Sequence, residues 1–172
     1  MTAREPSETA NLSRYGEAAL PWSRAVAAMS VPPKEDLTWF LGTVRPDGRP
    51  HAAGVGALYL EGDVWFTSSP AARKARNLAA NPRATVSVRL GGLDLVLEGV
   101  AARVTDGPTL ETLAARYREG GWPVDVEGDA FTAPYNAPSA GPPPWNLYRF
   151  TFATVFGVAT AEPYGASRWR FS

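Results

Sequence analysis

The chain has no cysteine, one histidine (His51) and two lysines (Lys34 and Lys74). Without cysteine there can be no disulfide, iron–sulfur cluster or thiolate zinc site. With a single histidine, a histidine-built metal centre is excluded too, and a Ser-His-Asp triad has no spare parts. The 17 basic and 17 acidic side chains cancel. No Lys/Arg stripe exists to neutralise a nucleic-acid backbone. No apolar run approaches the ~20 residues of a membrane span, and the N-terminal region shows no signal-peptide core. The expectation is a cytoplasmic protein that binds neither nucleic acid nor membrane, with no metal site.

What is present suits one globular domain. The 172 residues are 45% hydrophobic and 20% charged, enough to bury a real core. Residues 1–35 read as an N-terminal extension: a tip of about ten disordered residues, then a short helix around Trp22–Met29 that stops at Pro32-Pro33. Residues 36–172 read as a single domain built of strands. Thr38–Val44 leads through the turn Pro46-Asp47-Gly48 into a long strand, Pro50–Leu60. Glu61-Gly62-Asp63 turns the chain into Val64–Thr67. Ala84–Leu90 and Asp94–Thr105 form a hairpin around Gly91-Gly92. Leu147–Ala159 and Arg168–Phe171 complete the set, and a helix over Thr109–Glu119 aligns Leu110, Leu113, Ala114 and Tyr117. Alternating apolar positions, as in Val64 and Phe66 or Val96, Val100 and Val104, indicate a mainly β fold, an antiparallel barrel with a few short helices.

The hairpin turn also sets a register. It places Glu98 opposite Thr85 and Arg89 opposite Asp94. Glu98 shares its strand face with Val96, Val100 and Val104, and a carboxylate on an apolar stripe needs a partner. It reads as a structural or subunit-interface group. Residues 120–145 carry six prolines together with Trp122, Phe131, Tyr135 and Trp145. A loop of that length inside a compact domain is usually functional. The expectation is an ordered loop over a pocket or a neighbouring subunit, with Trp122, Tyr135 and Trp145 admitting substrate.

Two stretches point to a ligand. In Thr67-Ser68-Ser69-Pro70-Ala71-Ala72-Arg73-Lys74, Ser69 is a good N-cap and Pro70 a good first helical residue. Arg73 and Lys74 then fall early in the helix, where its dipole disfavours cations. A bound anion reverses that sign, because backbone N–H groups, hydroxyls and cations converge on one spot. The second stretch, His51-Ala52-Ala53-Gly54-Val55-Gly56-Ala57, is unusually small for a strand and lets a flat ring approach the backbone. His51 reads first as a strand-edge polar group.

The order of these pieces carries a resemblance. Strand, Thr/Ser-rich turn, Arg73-Lys74, Asn77-Leu78 and Asn81-Pro82-Arg83, followed by a β-branched strand, resemble the cofactor segment of the pyridoxamine 5'-phosphate oxidase-like FMN-binding split barrels. That superfamily also holds flavin/deazaflavin-dependent reductases. The match runs from about Leu37 to Thr105, taking in Trp39–Val44, Pro46–His51 and Glu98-Gly99. The ending Ser167–Phe171 follows it more loosely. The resemblance implies a Greek-key split β-barrel of six strands and a homodimer holding the cofactor between its subunits. It places the ring on Ala52, Ala53, Gly54 and Val55, and the phosphate on Thr67, Ser68, Ser69, Arg73 and Lys74. The implied cofactor is FMN, with the deazaflavin F-420 as alternative. Hydride would pass directly between the ring and a small conjugated organic acceptor, so no catalytic side chain is assigned. Ala53 and Leu58 stand near positions where pyridoxamine phosphate oxidases carry basic residues, which argues against a vitamin phosphate as substrate. The alternative function is a non-catalytic flavin or heme-related binding protein, with His51 as the one available axial ligand.

Overall fold

A strand that changes partners halfway along closes the main sheet. The computed structural model describes residues 4–31, 37–138 and 140–172. Its elements are β1 (Glu8–Asn11), α1 (Trp22–Met29), β2 (Trp39–Val44), β3 (Pro50–Val55), β4 (Ala57–Leu60), β5 (Asp63–Ser68), α2 (Arg73–Ala80), β6 (Arg83–Leu90), β7 (Leu93–Val104), α3 (Gly107–Glu119), β8 (Asp125–Glu127), β9 (Ala130–Thr132), β10 (Asn146–Ala159) and β11 (Ala166–Arg170). The strands run β3-β2-β6-β7-β10 in antiparallel order. The first part of β10 also pairs with β5, and β5 pairs with β4. Because β4 follows β3 directly, the sheet returns on itself. The long strand expected over Pro50–Leu60 is thus two strands broken at Gly56: the first half serves β2 and the second serves β5. β5 bypasses β6, the next strand in sequence, to reach β10. This is the Greek-key split barrel, with three short helices attached.

The expected hairpin register holds: Thr85 faces Glu98, and Arg89 faces Asp94. The face assignment does not. Leu93, Leu95, Leu97 and Ala101 point into the core, whereas Val96 and Val100 are 41% and 46% exposed. Glu98 is exposed with them and needs no buried partner. On the neighbouring strands Phe40 and Val158 are also exposed.

From Arg4 onward the described N-terminal residues are built into the domain rather than lying disordered. β1 pairs with β11 along Glu8–Asn11, and α1 buries Trp22, Ala25 and Met29. The Trp22 indole donates to the Arg4 carbonyl oxygen at 2.7 Å and packs edge-on against Phe171.

Residues 120–145 are no open loop. They fold into the β8–β9 hairpin and connecting turns, packing with α3 into a second hydrophobic cluster around Phe131 and Trp145. Trp145 is fully buried, and its ring centroid lies 5.3 Å from that of Trp122. Of the aromatic residues expected to line a substrate entrance, Trp145 is core, whereas Trp122 and Tyr135 are half-buried and packed against it. Their apolar area is used to cover the outer side of the barrel wall at Trp65 and Leu147.

One polar contact ties α2 to the barrel. Asn77, fully buried, donates from Nδ2 to Thr43 Oγ1 on β2 at 3.0 Å. Thr43→Val removes that acceptor and leaves a buried amide unpaired, which costs about 1–3 kcal/mol. Urea denaturation reads the loss, and unchanged stability would show that the bond does not anchor the helix. Gly99 is constrained differently: a Cβ there would stand 2.1 Å from the Thr151 carbonyl oxygen. Since backbone cannot yield cheaply, Gly99→Ala destabilises by about 1–3 kcal/mol, read in the same experiment. Full retention of stability would refute that close approach.

Candidate functional site

The two ligand-signalling stretches meet at the split in the barrel. β5 ends at Ser68, and the chain turns through Ser69–Ala72 into α2. The Ala72 N–H donates to the Ser69 carbonyl oxygen at 3.1 Å, while Ser69 Oγ accepts from the Ala71 N–H at 3.3 Å. Ser69 therefore serves its own turn and does not cap the helix. The helix begins at Arg73 instead of Pro70, and Ala72 in the cap position offers no side-chain acceptor. This shift sharpens the electrostatic argument. Arg73 and Lys74 become the first two helical residues, and the N–H groups of Arg73, Lys74 and Ala75 have no acceptor within the helix.

Among the described residues, no carboxylate lies within 4.0 Å of Arg45, Arg73, Lys74 or Arg76. The first turn of α2 carries no acid. Burial pushes the Lys74 ammonium below its ordinary pKa, so the group would gain from a negative neighbour. Ser68 is buried, with Oγ donating to the Ser69 carbonyl oxygen at 3.1 Å. Thr67 and Ser69 are half-buried. The hydroxyls, the uncapped amides and the cations share one short segment, and this donor set matches a phosphate.

The ring platform divides between two faces. Ala52 and Gly54 point outward and are exposed, in register with Gly42 and Phe40. Ala53 and Val55 point inward, opposite Leu41 and Trp39. What the four residues share is the backbone edge of β3. That edge pairs with β2 on one side and is the end of the sheet path on the other. Alternate N–H and C=O groups on the open side therefore lack ladder partners. α2 packs on β2 and β3, and β3 approaches β5. The small residues, the open edge and the basic helix start thus lie on adjoining elements. A flat polar-edged ring with a phosphate tail fits these residues.

His51 is a polar residue on the edge strand β3, as its sequence position suggests, but it is not isolated. It pairs across from Thr43 on the inward face, its Nδ1 3.5 Å from Thr43 Oγ1. Burial depresses its pKa most, followed by Arg45, Lys74 and Arg73, which puts the ring in the field of the basic cluster. The signal was available in the β2–β3 hairpin register. It went unused because nothing in the sequence places α2 over that hairpin.

The C-terminal arginines are otherwise engaged. Arg149 Nε donates to Asp63 Oδ2 at 2.6 Å, with the Asp63 side chain 2% exposed. Arg168 and Arg170 both reach Glu8, at 2.9 and 3.4 Å. They offer no second cationic cluster. A depression of about 600 Å³ adjoins the turn after β5, bordered by Pro70, Arg103, Asp129, Thr132, Pro144 and Asn146. A second cavity of about 580 Å³ lies among α1, β4 and the end of α3, bordered by Met29, Trp39, Tyr59 and Arg116.

Among the described residues, no group of three or more His, Asp or Glu is placed to hold a metal ion. No helix among them is long and apolar enough to cross a membrane.

Comparison with known proteins agrees with this fold. No curated protein matches the chain. Among solved structures, an FMN-binding protein related to pyridoxamine 5'-phosphate oxidase from Nostoc punctiforme is 18% identical, with a TM-score of 0.57, covering 87% of this chain and 90% of its own. An F-420 reductase is 24% identical with a TM-score of 0.51, covering 75% and 93%. A NimC/NimA family protein from Clostridium acetobutylicum is 14% identical with a TM-score of 0.58, covering 86% and 90%. These likenesses show the shared fold. Residues 27–159 match the family model described as pyridoxamine 5'-phosphate oxidase, and the chain belongs to that family.

Proposed function

We propose that this protein is a flavin-type oxidoreductase that works as a homodimer, with FMN lying across the split. The observation that carries this reading is the uncapped, cation-bearing start of α2 beside the unpaired edge of β3. Ser68, Ser69, Arg73 and Lys74 would hold the phosphate, with Thr67 beside them. The edge of β3 at Ala52–Val55 would meet the ring. The bound cofactor would supply hydride transfer to or from a small organic substrate. The chain's own part is to orient the ring against the open edge of β3 and to neutralise the phosphate. Arg149, Arg168 and Arg170 are already paired with carboxylates, which argues against a substrate bearing a second phosphate. The buried aromatic cluster gives no support to an aromatic entrance between Trp122, Tyr135 and Trp145.

F-420 remains the second reading because Arg76 is exposed one turn along α2, where an acidic tail would find it. A heme-binding role is less well supported. His51 faces inward beneath α2, whereas the open platform lies on the other side of β3.

The dimer reading rests on the outer sheet face. The register aligns Gly54, Phe40, Ser87, Val96 and Phe156 in one row across β3, β2, β6, β7 and β10. The next row holds Ala52, Gly42, Thr85, Glu98 and Thr154. The exposed apolar face and the ring platform are therefore continuous. A second copy covering one would border the other.

The absorption spectrum of the purified protein, with titrations of FMN and F-420, tests cofactor binding directly. Arg73→Ala and Lys74→Ala each lose a charge-assisted phosphate contact, expected to cost about 1.5–3 kcal/mol, or roughly 10- to 150-fold in Kd. Parent-like affinity for both cofactors in both variants would refute the phosphate site. Sedimentation at micromolar concentration with cofactor present should show a dimer, and Phe40→Asp with Val100→Asp should convert it to a folded monomer. A monomeric parent would overturn the dimer.

A further inference from the structure

His51 has no part in the function proposed above, yet the fold ties it to the phosphate helix. It stands opposite Thr43 in the β2–β3 pairing. Thr43 Oγ1 lies between the His51 Nδ1, at 3.5 Å, and the Asn77 Nδ2 of α2, at 3.0 Å. Asn77 is fully buried, and its Oδ1 has no partner among the described residues. The Thr43 hydroxyl can therefore serve either neighbour, as donor to an imidazole nitrogen or as acceptor from an imidazolium. With Nδ1 turned to Thr43, the other ring nitrogen points away from it. The imidazole is thus held by a relay that begins in α2 itself.

The charges facing His51 come from two elements besides its own. Arg45 follows β2, and Arg73 and Lys74 open α2; all three act on the imidazole with the same sign. The turn after β5 contributes only the hydroxyls of Ser68 and Ser69. On the hairpin carrying His51, Asp47 is engaged by Arg49 at 2.8 Å. Asp47 also lies in the field of Arg45, but no carboxylate among the described residues lies within 4.0 Å of Arg73 or Lys74. A dianion placed among them would reverse the field at the ring.

We propose that His51 is a further member of the phosphate cradle and takes up a proton from solvent when the cofactor phosphate binds. This rests on the phosphate-site reading and extends it. In the free protein, burial and the three cations hold the His51 pKa below its ordinary value, so the ring is neutral near pH 7. The bound phosphate raises it. With the free pKa lowered and the bound pKa raised, affinity increases as pH falls through the bound-state value and levels off below the free-state value. Loading would then be coupled to pH in a window around neutrality, with no change in fold.

Because His51 is the only histidine, tag-free protein gives a single imidazole Hε1 resonance, and its pH titration needs no assignment by mutation. The expected midpoint lies below about 6.5 without ligand and rises by one unit or more with saturating FMN. Calorimetry at pH 7.5, where the phosphate monoester is already dianionic, should show proton uptake across buffers of different ionisation heat. His51→Gln should abolish that uptake while still binding FMN. An unchanged or lowered midpoint with FMN bound would overturn the role of His51. If Arg73→Ala still weakened FMN binding in that case, the phosphate site itself would stand. If FMN failed to bind, or bound Arg73→Ala as tightly as the parent, the site would fall and the proton coupling with it.

Discussion

The break at Gly56 is the constraint on which the rest of the molecule depends. A single run from Pro50 to Leu60 has to pair with β2 at one end and with β5 at the other. It cannot do both as one flat ribbon, so it bends, and past the bend its first half has a partner on one side alone. The barrel therefore closes along β4 and stays open along β3. The candidate site lies on that opening: the small residues of β3, the turn after β5 and the basic start of α2. Closure supplies the core, with Val64, Phe66, Phe150 and Phe152 inside. The failure to close leaves the edge that borders the candidate site.

The second organising contact is polar. α2 presents few large apolar residues to the barrel; Leu78 is its largest, beside Ala75 and the buried Asn77. A short helix with so little apolar burial gains much from a directed bond such as Asn77 to Thr43. That bond fixes where the first turn, and hence Arg73 and Lys74, can point. The cations are held by the fold near a like-charged neighbour, Arg45, with no nearby acid among the described residues to relieve them. Such an arrangement raises the energy of the empty site and lowers that of the filled one. A binding site can carry this strain because its ligand removes it.

Much of this was legible in the chain, for reasons that are local. The Gly91-Gly92 turn fixes a two-residue loop, and the pairing of Thr85 with Glu98 follows by counting. The anion signal at Arg73 and Lys74 follows from helix polarity alone. What was not legible is non-local. Val96 and Val100 look like core on composition, and Leu95 and Leu97 look the same. Only the barrel decides which alternate face is inside, and a one-residue choice inverts the whole strand. The burial of Trp145 was not legible for a similar reason, since an aromatic, proline-rich segment suits a pocket wall and a second core equally. The register between a helix and a distant hairpin is likewise absent from any single window, which is why His51 looked like an isolated edge residue.

The pairing of β1 with β11 has a consequence for how the chain is made. Glu8 and Arg170, joined by an ion pair, are 162 residues apart. At ribosomal rates of roughly 5–20 residues per second, β1 leaves the exit tunnel about 10–30 s before its partner strand exists. For that interval it is a nascent edge with nothing to pair against, the condition that invites intermolecular strand addition. Its four residues, Glu-Thr-Ala-Asn, are short, polar and charged, and so poorly suited to templating a neighbour. The strand that seats β1 is made long after it, so this pairing can form only once β11 has emerged.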